Sequence, residues 1–172
     1  MSLVLITGSC GLVGSESVKF FASKGFDVVG IDNNSRREFF GKDGDINWVK
    51  RKLVKSYKNY THKNIDIRNY SALEKIFYKY KNSIKLIIHS AAQPSHDWAK
   101  KKPFVDFNIN ALGTLNLLNL TKKYSYNAPF IFMSTNKVYG DNPNLLPLRE
   151  LNSRWEILKK HKYFKGIDES MS

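Results

Sequence analysis

The sequence predicts an α/β fold built around a doubly wound parallel sheet, and three observations support that prediction. Short apolar segments alternate with longer amphipathic segments along the chain. The short segments are apolar throughout, which is typical of parallel strands covered on both faces. Polar or small residues follow the ends of these segments, and ligands of such sheets bind there. Together these features indicate a Rossmann-like sheet, which we expect to be incomplete on its C-terminal side.

The chain opens with a strand that leads into a glycine-rich turn. The apolar run Leu3–Ile6 continues as Thr7-Gly8-Ser9-Cys10-Gly11-Leu12-Val13-Gly14. In a phosphate-binding turn, the first glycine permits the bend, the second lets the backbone approach a pyrophosphate, and the third lets the helix pack closely. The N-terminus of the following helix directs its N–H groups at the phosphates. The turn therefore predicts a dinucleotide site, and a purely structural glycine turn is the alternative.

The remaining elements follow in the same alternation. The predicted order is a helix over 15–24, a strand over 27–31, a short helix before 60, a strand over 62–65, a helix over 71–80, a strand over 84–89, a long helix within 103–124 and a strand over 130–133. Gly25 ends the first helix, and Ser71 with Glu74 forms a predicted capping box. Right-handed crossovers place the strands in the order 3-2-1-4-5.

Asp32 follows the second strand, eighteen residues after Gly14. An acid near this spacing accepts hydrogen bonds from the hydroxyls of the adenosine ribose. Because a carboxylate repels a 2′-phosphate, Asp32 favours NAD over NADP. Arg36 and Arg37 follow closely and are candidates to receive such a phosphate, so the preference is only moderate.

Composition narrows the classes of protein that fit. The 28 Lys and Arg outnumber the 15 Asp and Glu, for a net charge of +13, but the basic clusters lie in amphipathic or loop-like sequence, where a solvated face is the default. Nucleic-acid binding is therefore a weaker alternative, which salt-dependent DNA binding would reveal.

No apolar run approaches the roughly twenty residues of a membrane span, and the immediate first strand leaves no room for a signal peptide. One cysteine, Cys10, fits the cytoplasmic location that we predict. We predict no metal site.

At the strand ends the chain resembles the extended short-chain dehydrogenase/reductase family, the NAD-dependent sugar epimerases and dehydratases. The matching residues are Gly8, Gly11, Gly14, Asp32, Asn33, Ser35, Arg36, Asp66–Arg68, Ala91–Gln93, Asn110, Gly113–Asn116, Ser134, Thr135 and Val138–Asp141. Two stretches, Gln93–Trp98 and Ser134–Asp141, resemble the CDP-paratose 2-epimerase branch of the family.

The resemblance implies NAD as the cofactor and a nucleotide sugar, a CDP-sugar in this branch, as the substrate. The implied cofactor-binding residues are Gly8, Gly11, Leu12, Val13 and Gly14 at the pyrophosphate, Asp32 at the ribose, Asp66 and Ile67 at the adenine, Ala91, Ala92 and Gln93 towards the nicotinamide ribose, and Asn33 and Ser134 elsewhere on the cofactor. His96, Asp97 and Asn136 would face the substrate, although a loop-capping role for His96 or Asp97 stays open.

The implied catalytic residue is Thr135, which matches the family's Ser or Thr that hydrogen-bonds the reacting sugar hydroxyl or ketone. The family's epimerases oxidise a sugar carbon, turn the ketone over and return the hydride to its other face, while a base moves the hydroxyl proton. Its 4,6-dehydratases carry an Asp-Glu pair directly after this Thr. Here Asn136 and Lys137 stand in those places, which favours an epimerase.

The chain departs from the family at its base, a Tyr followed four residues later by a Lys. No such pair follows Thr135, since Tyr139 is followed by Pro143 and Tyr163 by Ile167. We therefore expect residues 1–172 to be a single, truncated NAD-binding domain without its C-terminal substrate domain. A non-catalytic module that senses NAD is the alternative. The apolar strand over 130–133 would be left at a sheet edge, and such edges associate, so we also expect dimers or aggregates, a homodimer among them.

Overall fold

Five parallel strands form the central sheet. In the computed structural model, which describes residues 2–171 except for the side chain of Asn136, the strands are β1 (Leu3–Thr7), β2 (Asp27–Ile31), β3 (Tyr60–Lys63), β4 (Ile84–His89) and β5 (Phe130–Phe132). Their order is β3-β2-β1-β4-β5, and each neighbouring pair is parallel. The predicted fold class and strand order are confirmed.

Helices connect the strands. They are α1 (Leu12–Ser23), α2 (Arg36–Phe40), α3 (Asn47–Ser56), α4 (Tyr70–Tyr80), α5 (His96–Lys101), α6 (Pro103–Phe107) and α7 (Gly113–Tyr124). The long helix predicted within 103–124 is present, but a π-type turn at Asn108–Leu112 joins α6 to α7. Of the helices in the described part of the chain, none has the length and apolar character needed to cross a membrane.

The core lies on both faces of the sheet because alternate side chains of each strand point to opposite sides. Leu3 and Leu5 of β1 pack in one apolar cluster, together with buried side chains of α4 and α7. Val4 and Ile6 pack in the other, together with buried side chains of α1 and α3. All four side chains are buried, so a strand in this position has no polar face. This arrangement accounts for the unbroken apolar run from which β1 was predicted.

Several predicted boundaries are wrong. Helix α1 begins at Leu12 rather than at residue 15, because the helix starts within the glycine turn itself. Strand β3 begins at Tyr60 rather than at residue 62, since Tyr60 already pairs with Val28 of β2.

The predicted capping box of α4 is also wrong. Asn69 caps the helix, and its side-chain oxygen accepts a hydrogen bond from the N–H of Ala72 at 3.0 Å. Glu74 instead accepts hydrogen bonds from Lys123 and Tyr124, each at 2.9 Å. Asn69 precedes Ser71 and lies outside the helical turn, where a side chain can reach back to the first N–H groups.

Residues 134–171 form a second compact unit, which divides from the first between Met133 and Ser134. It contains an antiparallel pair, β6 (Leu148–Glu150) and β7 (Trp155–Ile157). Arg149 and Arg154 both pair with Glu156 of β7. The assignment of residues 1–172 to one NAD-binding domain stays a prediction, and the two units are described separately.

Candidate nucleotide-binding site

The turn between β1 and α1 depends on close backbone contacts. Gly8 has φ +66°, and a Cβ there would lie 2.7 Å from the N atom of Ala91. A Cβ at Gly14 would lie 2.0 Å from the carbonyl oxygen of Gly8. A side chain at either position would force the backbone apart. These two glycines therefore allow β1, α1 and the end of β4 to meet.

Gly11 has a different environment. It caps α1 with φ −72° and ψ 178°, an extended conformation that any residue adopts, and no side chain caps the helix. A Cβ there would approach only the carbonyl oxygen of Gly8, at 3.3 Å, and would otherwise enter open space. The first N–H groups of α1 have no partner within the helix. Bare backbone donors beside open space fit a pyrophosphate group.

A cleft at the carboxyl ends of the strands brings most of the predicted cofactor residues together. It is lined by eight of them, Gly8, Gly11, Asp32, Asn33, Asp66, Ile67, Ala91 and Ala92, and also by Ile31, Ser35, Arg36, Phe39, Ile46, Ile65, Ser90 and Ile109. Leu12, Val13 and Gly14 lie in the first turn of α1, next to this cleft in sequence. The apolar members Phe39 and Ile65 were missed because an isolated apolar residue carries no sign that it faces a ligand rather than the core.

Asp32 is held by two backbone N–H groups. The N–H of Cys10 donates to Oδ2 at 3.0 Å and the N–H of Asn34 donates to Oδ1 at 2.8 Å. Each carboxylate oxygen keeps a further lone pair, so the carboxylate can still accept from two vicinal hydroxyls. That is the geometry a ribose requires.

Asp66 lines the same cleft and contacts Asn33. Arg68 contacts both carboxylate oxygens of Asp66 through Nε, at 3.0 and 3.1 Å, and Oδ2 also through Nη2, at 2.6 Å. Asn33 donates to Oδ2 at 3.0 Å. Burial alone would raise the pKa of Asp66, but the hydrogen bonds from Arg68 and Asn33 bring it below its ordinary value. Asp66 is therefore an ionised acceptor, which suits an adenine amino group.

A buried chain of hydrogen bonds, here called the His89 network, joins Thr7, His89, Thr114 and Asn110. The Thr114 hydroxyl donates to the carbonyl of Asn110 at 2.6 Å. It must therefore accept from His89 Nε2–H, at 2.9 Å, and this fixes the tautomer. His89 Nδ1 then accepts from the hydroxyl of Thr7 at 2.7 Å. Burial lowers the pKa of His89 to about 4, so the ring is neutral near pH 7.

The side chain of Asn110 extends this network to the loop after β4. Asn110 and Gln93 exchange two hydrogen bonds, from the N–H of Gln93 to Oδ1 at 2.9 Å and from Nδ2 to the carbonyl of Gln93 at 3.1 Å. Gln93 Nε2 also donates to Asp106 at 2.7 Å. The buried Gln93 side chain thus fixes the loop that contains Ala91 and Ala92. The predicted position of Gln93 along the path to the nicotinamide ribose stays a prediction.

Four polar side chains form a second set of buried contacts, here called the Tyr60 cluster. They are Ser9, Cys10, Tyr60 and His62. The hydroxyls of Ser9 and Tyr60 lie 3.1 Å apart, and the Tyr60 hydroxyl lies 3.3 Å from His62 Nδ1. Gly30 makes room for them, since a Cβ there would lie 2.5 Å from the Tyr60 oxygen. Burial, and next the charge of Asp32, raises the pKa of Cys10 to about 11. Burial is also the main cause that raises the pKa of Tyr60. Both groups are protonated near pH 7.

The two arginines considered for a 2′-phosphate each contact another side chain, although Arg36 also lines the cleft. The guanidinium of Arg36 lies 4.8 Å from the ring centre of Phe40. Arg37 pairs with Asp45 at 3.5 Å. Neither group is directed at Asp32 by these contacts.

The candidate substrate residues His96 and Asp97 lie in the first turn of α5. The helix is capped by Ser95, whose hydroxyl accepts from the N–H of Trp98 at 3.3 Å, so neither candidate is the cap. Trp98 donates through Nε1 to the carbonyl of Phe39 at 3.1 Å. This bond ties α5 to a residue that lines the cleft. The substrate roles of His96 and Asp97 stay predictions.

The remaining candidates lie in the second unit. The hydroxyl of Thr135 accepts from the N–H of Lys137 at 3.2 Å and caps a short 3₁₀ turn over Asn136–Tyr139. Ser134 immediately precedes it, and the side chain of Asn136 lies outside the described part of the structure. Their proposed roles stay predictions. Residues 2–171 contain no group of three or more His, Cys, Asp or Glu side chains arranged to hold a metal ion.

Comparison with known proteins places these features in a family. The model of the "NAD dependent epimerase/dehydratase family" matches residues 4–162. A CDP-paratose 2-epimerase of Salmonella typhi is 37% identical over 167 residues, which cover 97% of this chain and 45% of the relative. A putative UDP-glucose 4-epimerase of Methanocaldococcus jannaschii is 33% identical over 148 residues, which cover 86% of this chain and 43% of the relative. The chain thus spans less than half the length of these relatives.

Solved structures agree with this placement. The UDP-glucose 4-epimerase of Thermotoga maritima, solved with UDP-glucose, superimposes with a TM-score of 0.66 at 28% identity, over 84% of this chain and 42% of that one. The UDP-glucose 4-epimerase of Thermus thermophilus, solved with NAD, gives a TM-score of 0.56 at 30% identity, over 71% and 34% of the two chains. The resemblance noted in the strand-end residues is confirmed.

Proposed function

The chain belongs to the NAD dependent epimerase/dehydratase family, and on that premise we propose that it is the NAD-binding part of a nucleotide-sugar epimerase. The main support is the cleft in which the bare backbone at Gly11 and the carboxylate of Asp32 face the same space. In folds of this kind the backbone of the glycine turn contacts a pyrophosphate and the acid after the second strand contacts the adjoining ribose. A CDP-sugar is the proposed substrate, because the Salmonella typhi relative is a CDP-paratose 2-epimerase.

Different residues of the cleft would bind different parts of NAD. The first turn of α1 supplies N–H groups to the pyrophosphate, and Asp32 accepts from the ribose hydroxyls. Asp66, already ionised and oriented by Arg68, accepts from the adenine amino group. The loop of Ala91 and Ala92 borders the path to the nicotinamide and is held in place by the Gln93–Asn110 pair.

The proposed chemistry is epimerisation. When bound, NAD supplies a reversible acceptor for the hydride of one sugar carbon. Thr135 would hydrogen-bond the oxygen of that carbon. Asn136 and Lys137 cannot act as the acid and base of a dehydration, so the oxidised sugar would be reduced again rather than lose water.

We further propose that these 172 residues bind NAD without turnover. The sequence contains no Tyr after Thr135 that is followed four residues later by a Lys, so no base of the family's kind removes the hydroxyl proton. The same observation supports the alternative, an NAD-sensing module without chemistry. Turnover of a CDP-deoxyhexose by the purified chain would contradict both proposals.

Cofactor binding is tested by calorimetry with wild type and Gly11→Ala. Gly11 has a φ that alanine adopts, so we expect the variant to fold. The added methyl would occupy the space proposed for the pyrophosphate and lower NAD affinity by about tenfold or more. Ser23→Ala, at the exposed far end of the same helix, is the matched control. Equal NAD affinity in all three proteins would argue against the assigned site.

A homodimer is a separate proposal, which the sheet edge supports. Within residues 2–171, β5 pairs only with β4. Ile131 is 44% exposed, Phe132 54% and Met133 42%, so an apolar strand edge is accessible for association. Light scattering of wild type and Ile131→Lys tests this. We expect the charge to lower the associated fraction, whereas Tyr126→Lys, an exposed position outside the strand, should leave it unchanged. A wild-type chain that stays monomeric at high concentration would exclude the proposal.

A further inference from the structure

One hydrogen bond and one ring contact connect α2 to α5. The indole Nε1–H of Trp98 donates to the carbonyl of Phe39 at 3.1 Å, and the two rings meet edge to face with their centroids 5.0 Å apart. Both side chains are half-buried. Within residues 2–171, no other hydrogen bond or ring contact joins the segment between β2 and β3 to the segment between β4 and β5. We call this pair of contacts the Trp98 link.

The Trp98 link joins the two sides of the cleft. Strands β2 and β4 lie on either side of β1 in the sheet, so the segments that follow them flank the glycine turn. Both segments line the cleft, one through Asp32 and Phe39 and the other through Ala91 and Ala92. A nucleotide whose pyrophosphate lies at the glycine turn would therefore contact both of the segments that Trp98 joins.

The Trp98 end of the link is held by hydrogen bonds to a buried side chain. The N–H of Ser95 donates to Oε1 of Gln93 at 2.6 Å, and Nε2 of Gln93 donates to the carbonyl of Ser95 at 3.0 Å. The hydroxyl of Ser95 in turn accepts from the N–H of Trp98 and caps α5. Trp98 therefore belongs to a helix whose beginning is fixed to Gln93.

The Phe39 end of the link is held less firmly. Helix α2 has five residues, of which none is buried, and no side chain caps it. A helix of that length forms too few hydrogen bonds to be stable by itself, so its position depends on tertiary contacts. Phe39 supplies two of them, since it packs against the apolar cluster that contains Leu3 and Leu5 and also against Trp98. Loss of Trp98 would therefore leave this wall of the cleft less firmly placed.

We propose that Trp98 is a positioning residue of the nucleotide site. It fixes Phe39 in the wall of the cleft before the nucleotide binds, so less order has to be created on binding and the nucleotide binds more tightly. The proposal deepens the proposed function and rests on it for the occupant of the cleft, an adenine dinucleotide. Trp98 does not itself line the cleft, so it acts through Phe39 rather than by touching the nucleotide.

The test combines NAD affinity, measured by calorimetry, with hydrogen exchange of the α2 amides in the ligand-free proteins. The first variants are Trp98→Phe, which keeps a ring against Phe39 and loses the N–H donor, and Trp98→Ala, which loses both contacts. Trp48→Ala is the matched control, because Trp48 is a 60% exposed tryptophan of α3 that does not line the cleft. Phe39→Ala, alone and combined with Trp98→Ala, completes a double-mutant cycle.

We expect Trp98→Ala to lower NAD affinity by about tenfold, since the order supplied by one hydrogen bond and one aromatic pair then has to be created on binding. Trp98→Phe should lower it by about threefold. The α2 amides of ligand-free Trp98→Ala should exchange about tenfold faster than those of wild type. Trp48→Ala should change either quantity by less than about twofold.

The double-mutant cycle tests whether Trp98 acts through Phe39. When Phe39→Ala is already present, adding Trp98→Ala should lower NAD affinity by less than about threefold, because the ring that Trp98 positions is gone. A full tenfold loss in that background would overturn the proposal, and so would an unchanged affinity of Trp98→Ala in the otherwise unchanged chain.

A failure of the proposed function gives a different result, because wild type itself would then not bind NAD. If α2 still exchanges faster in Trp98→Ala, Trp98 fixes this wall of the cleft and only the assigned occupant is wrong, whereas equal exchange overturns the proposal as well. Circular dichroism establishes whether Trp98→Ala folds. If it does not, Trp98→Phe decides the matter, and an NAD affinity equal to that of wild type then overturns the proposal.

Discussion

The His89 network and the Tyr60 cluster contact the same glycine turn, but they differ in how completely their hydrogen bonds are used. In the His89 network the hydroxyl of Thr7 accepts from Ala91 and donates to His89, while the hydroxyl of Thr114 accepts from His89 and donates to Asn110. In the Tyr60 cluster the side chains meet at 3.1 to 3.9 Å, and Cys10 and His62 also line a polar cavity.

This difference indicates that buried polar side chains have two different roles in the two regions. A network in which every hydrogen has one acceptor holds a unique geometry, and the His89 network thereby positions the loop after β4. A cluster that borders a cavity has alternative partners, including water or a ligand. We therefore expect the first region to be sensitive to loss of a single group and the second to tolerate it.

The largest expected effect is that of His89→Leu. The change removes the acceptor of the buried Thr7 hydroxyl and the donor to the half-buried Thr114 hydroxyl, and a buried polar group left without its partner costs about 1–3 kcal/mol. The different shape of the leucine side chain in the space packed around the ring adds to this loss. We expect the free energy of unfolding to fall by about 3 kcal/mol, measured by urea denaturation. A loss below about 1 kcal/mol would show that the two regions do not differ as described.

The pH dependence of stability sharpens the contrast. His89 titrates near 6.5 in the unfolded chain and at about 4 in the folded protein. Between these values the unfolded state takes up a proton that the native state does not. Stability should therefore fall as the pH decreases from 6.5 to 4, by about 1.4 kcal/mol per pH unit from this group. Above pH 6.5 the group contributes no slope. His89→Leu should lack this component, and an identical pH profile of both proteins would contradict the assignment.

The thiol of Cys10 reports on the Tyr60 cluster. With its pKa raised to about 11, the thiolate fraction at pH 8 is on the order of a hundredfold below that of an ordinary cysteine. Iodoacetamide should accordingly modify the native chain about a hundredfold more slowly than the urea-unfolded chain. The native rate should rise about tenfold per pH unit up to about pH 11. Equal native and unfolded rates at pH 8 would mean that burial does not protect this thiol.

The smallest effect is expected for Tyr60→Phe. The ring stays in place and only the hydroxyl is lost, so Ser9 and His62 each lose one partner, and His62 also lines a polar cavity. We expect a loss of about 1 kcal/mol in the free energy of unfolding. Ser23→Ala, which removes an exposed hydroxyl, is the control. If Tyr60→Phe lowers the free energy of unfolding as much as His89→Leu does, the side chains of the Tyr60 cluster have no alternative hydrogen-bond partners, and the two regions do not differ as described.

Local patterns in the sequence were sufficient to predict the central sheet and the glycine turn. Strands β1, β2 and β4 were predicted with little error because a strand buried on both faces leaves an unbroken apolar run. The strand order followed from the handedness of crossovers, and the cleft followed from the shared edge at which parallel strands end. The cap of α4 was misassigned, since Asn69 and Ser71 are both good capping residues and only the path of the backbone selects between them.

The sequence by itself therefore determined the fold class, the glycine turn and the position of Asp32, because each depends on neighbours within one βαβ unit. Only the tertiary structure decided which polar groups meet. Thr7 and His89 are 82 positions apart and Ser9 and Tyr60 are 51 apart, and no local period relates such pairs. Lys50 belongs to a basic run that is indistinguishable from a solvated face. The docking of α3 beside β3 makes Lys50 half-buried next to Asp32 and leaves Lys55 exposed, because burial is a property of the packed helix and not of its charges.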